Sequence, residues 1–240
     1  MIRRSFFGLV AVAFGAGVAM AADGGPSAPA TGGIWELFRQ SRDLFTVLLV
    51  LGSLVGCTVA FVCFMEIRES KILPNASISR LAGLLENNRI QDFRDFVLTD
   101  GSFVSRSLRG AVVHIGKDRS ALREAAELGA SEESARWFRR IELLNIIGNL
   151  GPLLGLAGTV WGMILAFASL GEAGGQTQAA NLSLGISKAL FHTLLGLCLA
   201  IPCLLVFGIY RSIVDRICTR GMLLTADLVE KLPAQDTKSA

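Results

Sequence analysis

The sequence predicts an all-α membrane protein with three spanning helices in the mature chain, and three observations carry that prediction. Leu44 to Met65, residues 143–171 and Ala189 to Tyr210 contain no Asp, Glu, Lys or Arg. Each is about as long as the roughly 20 residues a helix needs to cross a bilayer. Hydrophobic residues make up 52% of the 240 and charged residues 18%, with a mean hydropathy of +0.53, too apolar for an ordinary soluble domain of this size. Finally, Gly148, Gly151, Gly155, Gly158 and Gly162 recur at spacings of three and four, which sets them in one stripe on a helix. In water, five glycines would cost such a helix about 1 kcal/mol each relative to alanine. In a bilayer no water competes for the backbone, and small residues let helices approach closely.

In chain order, residues 1–22 read as a signal peptide. Arg3 and Arg4 form a basic start, Phe6 to Met20 an apolar core, and Ala19-Met20-Ala21 a small-residue cleavage pattern. The competing reading is an uncleaved span, for which that core is short. Residues 23–43 form an external tether, rich in Gly, Pro and Ala to 33, and then an interfacial segment with Trp35 as its anchor. The first transmembrane helix takes 44–65.

Residues 66–142 are a cytoplasmic helical region in which Ile78, Leu81, Leu85, Phe93, Phe96 and Val97 keep helical spacing. Turns fall at Asp100-Gly101 and Gly116-Lys117-Asp118. A helix from Ser131 runs directly into the second transmembrane helix at 143–171. Residues 172–188 hold an external loop and the start of the third helix, 189–210 the third transmembrane helix, and 211–240 a cytoplasmic tail.

Arg and Lys crowd the 66–142 segment and the tail but are absent from 172–184, so the positive-inside rule places the N-terminus outside and the C-terminus in the cytoplasm. Arg39 and Arg42 run against that rule, and a cleaved signal ahead of them overrides it.

The third span repeats the small-residue device. Ala189, Thr193, Gly196, Ala200 and Cys203 are spaced four, three, four and three. Each of the two small-faced spans thus carries a hydroxyl, Thr159 in one and Thr193 in the other. A threonine in a span either lines a polar path, donating and accepting without becoming charged, or bonds to its own or a neighbouring helix as glue. Pro152 and Pro202 interrupt hydrogen bonding, as packing kinks or as hinges. Asn145 and Asn149, one turn apart, either bond across helices or sit at the interface. Lys188 snorkels toward water from a span end, and His192 follows it one turn later on the same face, either titrating or held by a hydrogen bond.

The segments Gly151-Pro152-Leu153-Leu154-Gly155-Leu156-Ala157-Gly158-Thr159-Val160-Trp161-Gly162-Met163, Gly185-Ile186-Ser187-Lys188-Ala189-Leu190 and Thr193 through Pro202 resemble the ExbB/TolQ/MotA proton-channel family, its ExbB/TolQ branch above all. The resemblance implies three things. Thr159 and Thr193 line a proton path. The chain forms a homo-pentamer around a single-span ExbD/TolR-type partner that supplies a membrane Asp. The ring energises a TonB/TolA-type protein from the bacterial inner membrane. Many members carry glutamate where this chain has Lys188. The flagellar branch resembles a four-span plan and fits less well. TonB-dependent uptake or biopolymer transport is the expected role, with Tol-type envelope maintenance or a non-conducting scaffold as alternatives.

The residues alone add one constraint. None of the three spans holds a carboxylate, so an acid that carries protons through them has to come from another chain, with His192 and Lys188 as weaker candidates. No nucleophile–base pair, phosphate loop or metal spacing appears, so neither an enzyme nor a cofactor is expected. A net charge of +3 makes no case for a nucleic-acid partner. The five cysteines read as small packing residues rather than a disulfide framework.

Overall fold

The computed structural model describes residues 43–116, 118–172 and 179–233, so the signal peptide, the tether and interfacial segment before Asp43, most of the external loop and the end of the tail lie outside the described residues. The fold is nearly all helical, with no strand among the described residues. In order come α1 (Leu44–Glu66), α2 (Glu69–Ile72), α3 (Asn75–Glu86), α4 (Ile90–Thr99), α5 (Phe103–Leu108), a 3-10 turn (Ala111–His114), α6 (Arg119–Glu172) and α7 (Ala179–Glu230). Three of these, α1, α6 and α7, are long and apolar enough to cross a membrane.

The described residues divide into two compact units. One takes residues up to Ala60 and Leu143–Phe207; the other takes Phe61–Glu142 and Gly208 onward.

In the first, apolar unit, α6 and α7 run antiparallel. Gly185 faces Ala166, Gly162 faces Ala189, Gly158 faces His192, Gly151 faces Gly196 and Gly148 faces Leu204. α1 joins them through Gly52 against Leu199 and Gly56 against Cys203. Leu51, Leu54, Leu153, Leu156, Trp161, Phe167, Leu194 and Ile201 remain exposed on the protomer. An apolar surface of that extent suits lipid or neighbouring subunits rather than water.

The second unit is a small helical core. Leu81, Phe93, Val97, Val104, Leu108, Leu122, Ile141 and Val214 are wholly buried there. Of the apolar residues read as keeping helical spacing, Ile78, Leu85 and Phe96 are only partly covered, and Arg80 lies 4.7 Å over the Phe96 ring. α3 ends in a Schellman turn. Asn88 takes φ 53°, its N–H bonds to Leu85 O at 3.0 Å, and Arg89 N–H bonds to Leu84 O at 2.9 Å. Ion pairs Glu66–Arg140 and Glu69–Arg220 cross between elements of this unit.

Two helices run further than their sequence suggests. α6 begins at Arg119 rather than Ser131, because Leu122, Ala126, Ala130 and Glu133 already keep a buried stripe. α7 continues to Glu230 through what reads as a tail, because Val214, Ile217, Cys218, Thr225, Leu228 and Val229 are buried at helical spacing. The start of α6 is tied to the end of α7 by Gly116 N–H to Pro233 O at 2.9 Å and by Arg119 to Glu230 O at 3.3 Å.

Asp100 organises the α4–α5 junction. Its carboxylate accepts from the Ser102 and Ser105 hydroxyls, from Ser102 N–H and from the Ser77 hydroxyl, while Ser102 caps α5 by accepting from Ser105 N–H. Burial by itself pushes the Asp100 carboxyl up, but these donors together outweigh it and hold it below its ordinary value. A depressed folded-state value means stability that is full above the unfolded aspartate range, about pH 4, and is lost as pH falls through the lower folded value. The Asp100→Asn variant is therefore expected to lose about 1–2 kcal/mol near neutral pH and to show a flatter acid limb in pH-dependent melting. An unchanged acid limb would remove Asp100 from this role.

Candidate functional site: a hydroxyl pair in a glycine seam

Where α6 meets α7, the absence of side chains brings backbone to backbone. A Cβ on Gly196 would stand 2.5 Å from Gly151 O, and one on Gly155 would stand 2.8 Å from His192 O and 3.0 Å from Thr193 Cα. This approach lets two short side chains meet across the seam. The Thr159 hydroxyl lies 2.9 Å from Gly155 O and is hydrogen-bonded with the Thr193 hydroxyl, which lies 3.3 Å from the same carbonyl. Thr159 is buried and Thr193 half-buried.

The donor count is the informative property. Two hydroxyls bring two protons, and three close contacts are available to them. Either Thr159 donates to Gly155 O and accepts from Thr193, or Thr193 donates to Gly155 O and accepts from Thr159. In both arrangements the protons are consumed and only lone pairs are left over. The pair therefore receives a third group that donates, such as a protonated carboxylic acid or water. A carboxylate has no proton to give, so it would have to break one of these bonds, at about 0.5–1.5 kcal/mol.

The other residues singled out from sequence fall in several places. Gly148, Gly151, Gly155, Gly158 and Gly162 all lie against α7, and Gly196 and Ala200 face them near Gly151. Pro152 and Pro202 sit inside helices that continue through them. Asn149 turns back along its own helix, its side-chain NH2 donating to Asn145 O at 2.8 Å and Asn145 Oδ1 at 2.9 Å. Lys188 is half-buried on α7. His192 is 2% exposed, and neither ring nitrogen has a hydrogen-bond partner among the described residues. Cys63, Cys203 and Cys218 are buried, whereas Cys57 and Cys198 are exposed on the protomer.

Sequence reasoning missed Gly52 and Gly56, whose four-residue spacing signals a packing face. It also missed Asp43, whose carboxylate approaches His192. No local signal joins two residues so distant in the chain.

These features define a helical, multi-pass membrane protein whose α6–α7 seam holds a pair of uncharged hydroxyls. The chain belongs to the MotA/TolQ/ExbB proton channel family, which matches it over residues 98–221, just over half its length and inclusive of both threonines. It is 24% identical over 234 residues to the biopolymer transport protein ExbB of Salmonella typhimurium, covering 86% of this chain and 93% of that protein. An ExbB-like biopolymer transport protein of Synechocystis sp. is 43% identical over 93 residues, 38% of this chain and 37% of the relative. The Pseudomonas putida ExbB is 40% identical over 75 residues, 30% of this chain and 22% of its own length.

Proposed function

We propose that this chain is the ring subunit of a proton-motive-force-driven motor in the bacterial inner membrane. Several copies, five by family resemblance, surround single-span ExbD/TolR-type helices, and the motor energises TonB-dependent uptake or biopolymer transport. The chain lies with its N-terminus outside, after a cleaved signal peptide, and its C-terminus in the cytoplasm, and it acts as a transport subunit rather than an enzyme.

The observation that carries this reading is a hydroxyl pair with only hydrogen-bond-accepting capacity to spare, in spans that contain no carboxylate. A partner acid supplies the titrating group, and the pair's free lone pairs favour its protonated form. Membership of a proton channel family and the ExbB names of the relatives support the same role. One charge moving down 100 mV releases about 2.3 kcal/mol, so a few protons suffice for a sizeable conformational step.

The test is proton flux in proteoliposomes holding the ring and its companion. Thr159→Val and Thr193→Val are expected to reduce flux at least tenfold, while Thr193→Ser, which keeps the hydroxyl, retains most of it. Equal flux in all three would reject the lining role.

A further inference from the structure

The polar unit carries an apolar hole and an apolar knob that do not fill each other. The hole is a groove of about 160 Å³ between the first turns of α6 and the last turns of α7, floored by Ala126, Ala130, Met222, Ala226 and Val229. About 150 Å³ of apolar space takes up a group the size of benzene, so the groove fits one aliphatic side chain. Arg123, paired with Glu127 at 2.8 Å, stands on its rim. The knob is Leu128, 65% exposed, with the exposed Glu124 and Glu132 one turn to either side of it.

Helical geometry separates the two in direction but not in level. At about 100° per residue, Leu128 points about 150° away from the mean direction of Arg123, Ala126, Glu127 and Ala130. It lies between Ala126 and Ala130 in the same helix, so knob and groove share one height. A knob and a hole on opposite flanks of one subunit make a heterologous contact, which builds a ring or an open filament, whereas a two-fold contact stops at a pair. A ring about an axis along membrane-crossing helices keeps every copy at one height, so only a hole level with the knob can receive it. Residues 234–240, which follow α7, contain no apolar side chain larger than alanine with which to fill the groove.

We propose that Leu128 of one copy seats in the α6–α7 groove of the next copy, with Glu124 beside the neighbour's Arg123, so that the polar units link the subunits around the ring. Closure of that ring rests on the function proposed above, while the contact itself does not.

Leu128 and Ala226 are both exposed, so cysteine at either position leaves the buried core of the polar unit intact. Full-length chains carrying Leu128→Cys and Ala226→Cys together, oxidised in native membranes with copper phenanthroline, are expected to give a disulfide ladder running past the dimer. Its yield should be at least fivefold above that of the unsubstituted chain, which has five cysteines of its own. Two differently tagged chains, each with one of the substitutions, should give a mixed dimer and nothing larger. No cross-link, a double variant that stops at the dimer, or cross-linking that appears only after residues 234–240 are removed overturns the proposal. A ladder in a complex without proton flux sustains this contact and rejects the motor reading. Flux without a ladder rejects the contact alone.

Discussion

Gly196→Ala is expected to destabilise the apolar unit by about 1–3 kcal/mol, and Gly196→Val to prevent assembly of a flux-competent complex. The added Cβ would lie 2.5 Å from Gly151 O, 3.2 Å from Gly151 C and 3.2 Å from Gly155 Cα, all atoms of the opposing helix backbone. No rotamer change removes such a clash; the helices have to separate. Separation lengthens the Thr159–Thr193 contact as well, so loss of stability and loss of flux should appear together. Gly208, which has nothing within 4 Å, is the matched control, and Gly208→Ala should be neutral or slightly stabilising. Thermal unfolding of the detergent-solubilised complex, read alongside proton flux, distinguishes these outcomes. Equal behaviour of the two alanine variants would mean that the seam is not close-packed in the assembled protein.

Gly129→Ala should cost the polar unit about 1–3 kcal/mol or more. Its Cβ would clash with Ser107 O and stand 3.1 Å from Ser107 C. Ser107 is wholly buried at the end of α5, and its hydroxyl donates to Phe103 O at 2.8 Å, so that backbone has little freedom to retreat. Phe103 in turn fills the space left by Gly221, where a Cβ would lie 2.5 Å from its ring. Displacing Ser107 therefore disturbs the contact of α5 with α7 too. Gly83→Ala, in the open interior of α3 with nothing within 4 Å, should instead stabilise by about 0.5–1 kcal/mol. Hydrogen exchange of the α5 amides is the direct readout, and protection unchanged in Gly129→Ala would contradict the close approach.

The contrast between these glycines shows what was legible in the sequence. The stripe from Gly148 to Gly162 is visible because it lies in a charge-free run, where glycine has few reasons to persist except close helix approach. Thr159 and Thr193 stand out there for the same reason. Gly129 and Gly221 sit among polar residues and look like ordinary weak points of a surface helix; only the tertiary path of α5 reveals their purpose. The extension of α7 past Arg211 was hidden similarly, since charges at Arg211, Asp215, Arg216 and Arg220 mask a buried stripe formed by Val214, Ile217, Cys218 and Gly221. The approach of Asp43 to His192 joins a residue bordering the first span to one in the third, far apart in the chain, which periodicity does not report.

The contact between Gly151 and Gly196 has a consequence for genetics. Most core lesions have a suppressor nearby, because a bulky neighbour can be trimmed to make room for an added methyl. Here the neighbour is main chain, which mutation does not shorten. A lesion at either glycine thus has no local remedy, and reversion remains its simplest repair.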